Sequence, residues 1–312
     1  MTAAPFYADI AQGPESGRAV WLAAGDGTKL RVAHWAPFGA ARGTVLLFQG
    51  RSEYAEKYGP AAVALTGAGW HVLAPDWRGQ GLSQRRHPDP MLGHVEDFDE
   101  YQQDVTAVLD FARAEGLPEP WHLLSHSMGG CIALRALLRG LPVKSAVFSA
   151  PMWGIRLFPT VEPVAVTLSR VLHERGHGHL LTPTTTRQTY VLHAKFRGNM
   201  LTRDPAIWSW MRQQATAHPD LALGGPSLTW LHAAFREMQA LQALPAPATP
   251  ALTALGTSER IISPRAVRRR MAAWPQGRLE LFAKAEHEVM MELPAHRGRF
   301  LTETNAFFAA QS

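Results

Sequence analysis

Three side chains of this sequence have the types and the addresses for acyl-transfer chemistry. Ser127 stands in Trp121-His-Leu-Leu-Ser-His-Ser-Met-Gly-Gly130, an apolar run that stops at the serine and turns directly into a helical pattern. Glu259 falls just past an apolar stretch, Ala251 to Leu255, and His287 just past another, Arg278 to Ala283. A serine hydroxyl is a weak nucleophile until a base takes its proton. His287 is the candidate base, and afterwards the acid toward the leaving group, with Glu259 fixing the imidazole. The chain order serine, acid, histidine is the one expected when the serine sits on a strand-to-helix turn.

That turn has its own signature. Ser125-His-Ser-Met-Gly129 differs by one residue from G-x-S-x-G, the pattern in which a strained turn lifts the serine hydroxyl above a sheet. Ser125 and Gly129 are expected to face each other across it, where larger side chains would clash. The helix that follows, Met128 to Arg139, points its N-terminus at Ser127, so the amide of Met128 is placed to hold an oxyanion. A second amide should come from the loop after an earlier buried strand, here Gly50-Arg51-Ser52. The backbone of Arg51 is the candidate donor, and Gly50 allows the substrate's close approach. His126 is expected packed beneath the turn, Asp76 and Arg78 in an ion pair bracing a nearby turn, and Glu286 and Glu288 pointing away from the ring of His287. His173, His177 and His179 lie among glycines without carboxylates, so no metal site is expected there.

The elements that position these residues alternate. Ala19 to Ala23 and Leu30 to Pro37 flank Gly25-Asp-Gly27 as a hairpin. Then come a buried strand Thr44 to Phe48, a helix Tyr58 to Ala68, a strand Trp70 to Ala74, a helix Phe98 to Glu115, the strand leading to Ser127, its helix, and a strand Lys144 to Ala150. This is βαβ spacing, which predicts a mostly parallel sheet with helices on both faces. From Met152 to Leu244 the alternation stops, and helical patches are broken by prolines. It resumes with strands Ala251 to Leu255 and Arg278 to Ala283 and helices Pro264 to Trp274 and Pro294 to Ala310. The expected organisation is a core of residues 1–151 and 245–312 interrupted by a helical cap, residues 152–244.

Composition narrows the classes. The chain has 312 residues, 46% hydrophobic and 18% charged, with a formal net charge of +5. That suits a globular protein with a large core. No basic run exceeds Arg268-Arg269-Arg270, so nucleic acid is not an expected partner. The single cysteine, Cys131, excludes an internal disulfide and reads as a small buried hydrophobe. Met1 to Gly17 lacks the apolar stretch of a secretory leader, and no apolar run approaches the ~20 residues of a membrane span. A cytoplasmic protein is expected, with peripheral contact at the inner face of the membrane left open.

Jointly, several motifs resemble the α/β-hydrolase superfamily and, within it, the monoacylglycerol lipase and bacterial lysophospholipase group. They are Phe48-Gln-Gly-Arg-Ser-Glu-Tyr-Ala-Glu-Lys-Tyr58, Asp76-Trp-Arg-Gly-Gln-Gly-Leu-Ser83, His94-Val-Glu-Asp-Phe-Asp-Glu-Tyr101, Ser125 to Gly130, Ser149-Ala-Pro-Met-Trp-Gly154, Glu259-Arg-Ile-Ile262 and Ala285-Glu-His-Glu288. The resemblance implies an eight-stranded sheet, the cap, and a triad of Ser127, Glu259 and His287. Gln49, Ser125 and Glu259 depart from the group's more usual histidine, glycine and aspartate.

The expected activity is cleavage of carboxylic esters through an acyl-enzyme, with no metal or organic cofactor. A lysophospholipid is the favoured substrate. Monoacylglycerol or short-chain ester hydrolysis, or acyl transfer on the same triad, are the alternatives. Between Met152 and Leu244 there are nine basic and five acidic residues, so +4 of the chain's net charge of +5 lies here. Trp153, Phe196 and Trp208 are candidate contacts for an acyl chain. Arg156, Lys195, Arg197, Arg203 and Arg212 are candidates for attracting a phosphate or an anionic bilayer.

Overall fold

The computed structural model describes residues 2–312. Nine strands form one sheet: β1 (Thr2–Ala4), β2 (Arg18–Ala23), β3 (Lys29–Trp35), β4 (Gly43–Phe48), β5 (Trp70–Pro75), β6 (Trp121–His126), β7 (Ser145–Ser149), β8 (Ala251–Gly256) and β9 (Gly277–Phe282). Their spatial order is β1-β2-β3-β5-β4-β6-β7-β8-β9. The first three strands and the β3–β5 pair are antiparallel; from β5 onward every pair is parallel. The additional strand relative to the expected eight is β1, which lies on the edge of β2 in the register Thr2↔Trp21. Three short residues carry no alternation to read, and only pairing with β2 makes them a strand.

The central strands are mostly apolar and buried because helices cover both faces. β4, β6 and β7 are buried along their whole length. The helices are α1 (Ala8–Ala11), α2 (Gly59–Gly67), α3 (Glu100–Ala114), α4 (Met128–Leu138), α5 (Glu162–Leu172), α6 (Tyr190–His193), α7 (Pro205–Ala217), α8 (Leu228–Ala243), α9 (Pro264–Ala272) and α10 (Pro294–Ala310). A 3₁₀ turn, Ala55–Tyr58, precedes α2, so the helix starts one residue later than its pattern suggests, with Pro60 in the first turn, where a missing amide hydrogen costs nothing. Helices α5 to α8 all fall between β7 and β8. α7 and α8 are capped by Asp204 and Ser227, whose side chains accept from amides of the first turn.

Two buried ion clusters lock the loops at the sheet's carboxyl ends. Arg31 on β3 is fully buried and pairs with Glu56 and Asp76, each at 2.7 Å. Asp76 also accepts from the amides of Ala55 and Leu82 and from the Gln49 side chain. Arg78 pairs with Asp104, Asp26 and Glu100 at 2.6–2.8 Å. Asp76 and Arg78 are therefore not partners of each other. Their turn is pinned by two clusters, one tying Asp76 to Arg31 of β3 and the other tying Arg78 to Glu100 and Asp104 of α3.

Breaking a buried ion pair by removing one partner strands the other charge. Arg31→Met should lower the unfolding free energy by about 3–5 kcal/mol in urea titrations. A loss within ordinary surface-mutation scatter would show that Glu56 and Asp76 do not depend on the guanidinium.

Candidate active site

β6 ends at His126 and α4 begins at Met128, so Ser127 makes the whole turn, at φ 48° and ψ −117°. Non-glycine residues avoid this conformation, and it persists only where neighbours over-determine it. Here Ser127 N donates to Ser149 O at 3.1 Å, and Ser127 O accepts from Met152 N at 2.8 Å and Gly130 N at 2.9 Å. A Cβ on Gly129 would run into the carbonyl oxygens of Phe48 and Gln49. The room that Gly129 leaves is thus taken by the end of β4, not by Ser125. Ser125 is buried against Val147 O at 3.4 Å.

The loops after β8 and β9 bring the other two residues to the serine. His287 Nε2 lies 2.9 Å from Ser127 Oγ, and His287 Nδ1 lies 2.7 Å from Glu259 Oε2. With Nδ1–H donating to the carboxylate, Nε2 is left as the acceptor for the serine hydroxyl. Glu259 is held in turn, since its Oε1 accepts from the amides of Ile261 and Ile262 at 2.6 and 3.1 Å. Burial pushes Glu259 up, but the imidazole and those two amides outweigh it and hold the carboxyl below its usual range. Burial also pushes His287 down, yet Glu259, with Glu288 and Glu53 behind it, raises the imidazole above the ordinary histidine value. Glu286 pairs with Arg260, and Glu288 with Lys57, so both turn away from the ring.

Two backbone amides near Ser127 are without an internal acceptor. Met128 is the first residue of α4 and has no carbonyl one turn earlier to bond. Among the described residues the amide of Arg51 has no acceptor either, whereas Gly50 N donates to Glu53 Oε2 at 2.5 Å. That bond belongs to a cluster the motifs did not reveal. Lys57 Nζ lies 2.6 Å from Glu53 and 2.7 Å from Glu288, and Tyr58 OH donates to Glu53. The spacing Glu53, Lys57, Tyr58 was visible, but an acid four residues before a lysine usually marks an exposed helix face. Burial of all three changes its meaning. His126 sits beside this cluster and donates Nδ1–H to Ser149 O at 3.1 Å. Burial, helped by Lys57 and His287, pushes it down to about 3, so it is neutral. Glu53, His126 and Glu288 are close enough to share a metal ion, but the ammonium of Lys57 already sits between the two carboxylates.

A cavity of about 640 Å³ opens over Ser127 and His287. Its walls include Met152, Leu157, Leu168, Tyr190, Trp230 and Phe235. Trp153, Phe196 and Trp208 do not line it. Trp153 is fully buried between Phe148 and Trp274, with Nε1 on Gly130 O at 3.0 Å, and Trp208 packs against Tyr190 and Phe196. Large rings were spent on filling the spaces between elements. Arg156, Lys195, Arg197, Arg203 and Arg212 also lie off the cavity. Arg156 donates to Glu259 O and Arg212 to Val191 O. His173 and His179 have separate partners, Thr229 and Gly176 O.

An NMR titration of His287 should give a midpoint above the free-histidine value of about 6.5, because its carboxylate partner favours the imidazolium. In Glu259→Gln the burial penalty is left unopposed by that charge, so the midpoint should fall. An unchanged midpoint would mean that Glu259 does not control the imidazole.

Comparison with known proteins agrees with this architecture. A family model described as serine aminopeptidase, S33 (Hydrolase_4) matches residues 39–294. The probable lysophospholipase L2 of Haemophilus influenzae is 30% identical over 279 residues, 88% of this chain and 87% of that one. Lysophospholipase L2 of Escherichia coli K12 is 31% identical over 277 residues, covering 85% and 79%. Among solved structures, a soluble variant of the monoglyceride lipase of Saccharomyces cerevisiae superposes with a TM-score of 0.76 at 17% identity, over 99% of both chains. The monoacylglycerol lipase of Paleococcus ferrophilus superposes with a TM-score of 0.72 at 23% identity, over 91% and 99%. With its sheet order, its strained serine and these matches, the chain belongs to the α/β-hydrolase family described as serine aminopeptidase, S33.

Proposed function

We propose that the protein is a serine ester hydrolase that removes the acyl chain of a lysophospholipid. The observation that carries the reading is one imidazole bonded to Ser127 on one side and to Glu259 on the other, at the floor of a largely apolar cavity. Ser127 Oγ attacks the acyl carbonyl while its proton passes to His287 Nε2. The amides of Arg51 and Met128 hold the oxyanion. His287 then protonates the departing glycerol oxygen, freeing the alcohol and leaving the acyl-enzyme. Water, deprotonated by the same imidazole, releases the fatty acid and restores Ser127.

The peptidase in the family's description is less well supported. An aminopeptidase must recognise an α-ammonium group, and the lining carboxylates Glu53 and Glu288 are already engaged by the ammonium of Lys57. Ester hydrolysis of lipids fits the named activities of the two lysophospholipases L2. In this reading residues 152–244 act as a cap. It would shelter the acyl chain against α5 and α8, on a core of residues 1–151 and 245–312. Among the described residues no helix is long and apolar enough to cross a membrane. Val161, Val164 and Leu168 line the cavity and are also exposed. They offer an apolar rim, consistent with a cytoplasmic enzyme that touches the inner membrane face to take up its lipid.

A fluorophosphonate probe should label the protein and fail to label Ser127→Ala. Matched lysophosphatidyl and monoacylglycerol substrates should show the higher kcat/KM on the former. A strong preference for the neutral lipid would sink the lysophospholipid reading while leaving ester hydrolysis in place. The rate should also rise with pH through a limb whose midpoint lies above about 6.5, since only neutral His287 can accept the serine proton.

A further inference from the structure

Arg51 enters the site twice. Its amide is the candidate oxyanion donor, Arg51 is among the residues that line the cavity, and the electrostatic situation of its side chain is unusual. Every other cation bordering the cavity is compensated: Lys57 has two carboxylates within 2.7 Å. Among the described residues Arg51 has no carboxylate within ion-pair distance. Its one hydrogen bond runs from Nη1 to the backbone oxygen of Gly224, at 2.9 Å. Burial accordingly pushes the guanidinium down to about 10, although it remains a cation at neutral pH.

The guanidinium is nevertheless held in place. It lies 5.6 Å from the ring centroid of Trp230, and a methyl group on Gly93 would come within 2.9 Å of Nη1. Gly93, Gly224 and Trp230 thus form a seat for one end of the fork. Among the described residues Nε and Nη2 find no hydrogen-bond acceptor. The lining contributed by α5 is mainly apolar, with Val164, Ala165 and Leu168. A seated cation with spare donors and no carboxylate partner, on a residue of the wall that Ser127 also lines, is the complement of an anionic head group.

We propose that the guanidinium of Arg51 is the receptor for the substrate's phosphate and so sets the preference for lysophospholipids over neutral monoacylglycerols. This rests on Ser127 being the nucleophile of an ester hydrolase. It assigns head-group recognition to the loop that also carries the oxyanion amide, and not to the basic residues of the 152–244 segment.

The test is a selectivity ratio, because substitution at position 51 also disturbs the oxyanion loop. The ratio is kcat/KM for a lysophosphatidylglycerol over that for the monoacylglycerol with the same acyl chain. Rates are counted per site by fluorophosphonate titration. Arg51→Met should lower the ratio about 10- to 100-fold, the worth of a lost charge-assisted hydrogen bond. Arg51→Lys, which keeps the charge but not the fork, should fall in between. Glycerol 3-phosphate should inhibit monoacylglycerol cleavage competitively, with a Ki that rises in Arg51→Met. Equal proportional losses on both lipids would overturn the proposal, showing that the side chain only shapes the loop or meets the released fatty acid. An unchanged ratio overturns it as well. A wild-type protein that cleaves neither lipid and takes no fluorophosphonate defeats the hydrolase reading itself, and this proposal with it. One that labels and cleaves both lipids but is indifferent to Arg51 defeats this proposal alone.

Discussion

The backbone of Ser127 is the constraint on which the rest of the molecule depends. Its φ of 48° is tolerable only because three strands meet around it. β6 delivers it, β7 accepts its amide through Ser149 O, and the end of β4 fills the space that Gly129 leaves. The order β4-β6-β7 at the centre of the sheet is therefore a requirement of the turn as much as a consequence of chain topology. A parallel sheet also collects the loops after β4, β8 and β9 at one edge. That is how Arg51, Glu259 and His287 come to surround a single hydroxyl.

Charge holds those loops in register. Lys57 bridges Glu53, whose other oxygen takes the amide of Gly50, and Glu288, the residue after His287. One buried ammonium thus connects the loop after β4 to the loop that carries His287. Burial alone would disfavour each of these charges, and only their mutual contacts make the cluster tolerable. His126 stays neutral beside it, so no second imidazolium competes with His287 for the field of the nearby carboxylates.

The segment between β7 and β8 contributes more than walls. His287 N donates to Met200 O, and Glu288 N to Leu201 O, at 3.2 and 2.9 Å. Arg156 donates to the backbone oxygen of Glu259, the acid of the same constellation. Met200 and Leu201, which line the cavity, also clasp the loop carrying His287, so the cavity wall and the alignment of His287 draw on the same backbone contacts.

Much of this was legible along the chain, because βαβ alternation and a serine between a buried strand and a helix are local patterns. So are the addresses of Glu259 and His287, one loop after each of two late strands. What the sequence alone could not decide is where large or charged side chains are used. Trp153 and Trp208 have the chemistry of acyl-chain contacts, yet they fill gaps between elements, since a ring's neighbours are set by packing and not by its own composition. Glu53 and Lys57 read as a surface pair until tertiary burial makes them a structural link. Arg51 is the reverse case: its backbone was identifiable from its place after a strand, while the meaning of its side chain depends on Gly93, Gly224 and Trp230, residues far apart in sequence. Periodicity and order carry the fold and the reacting atoms, because those follow from short-range pattern and topology. Which charges are left unpaired at the cavity is a property of three-dimensional proximity alone.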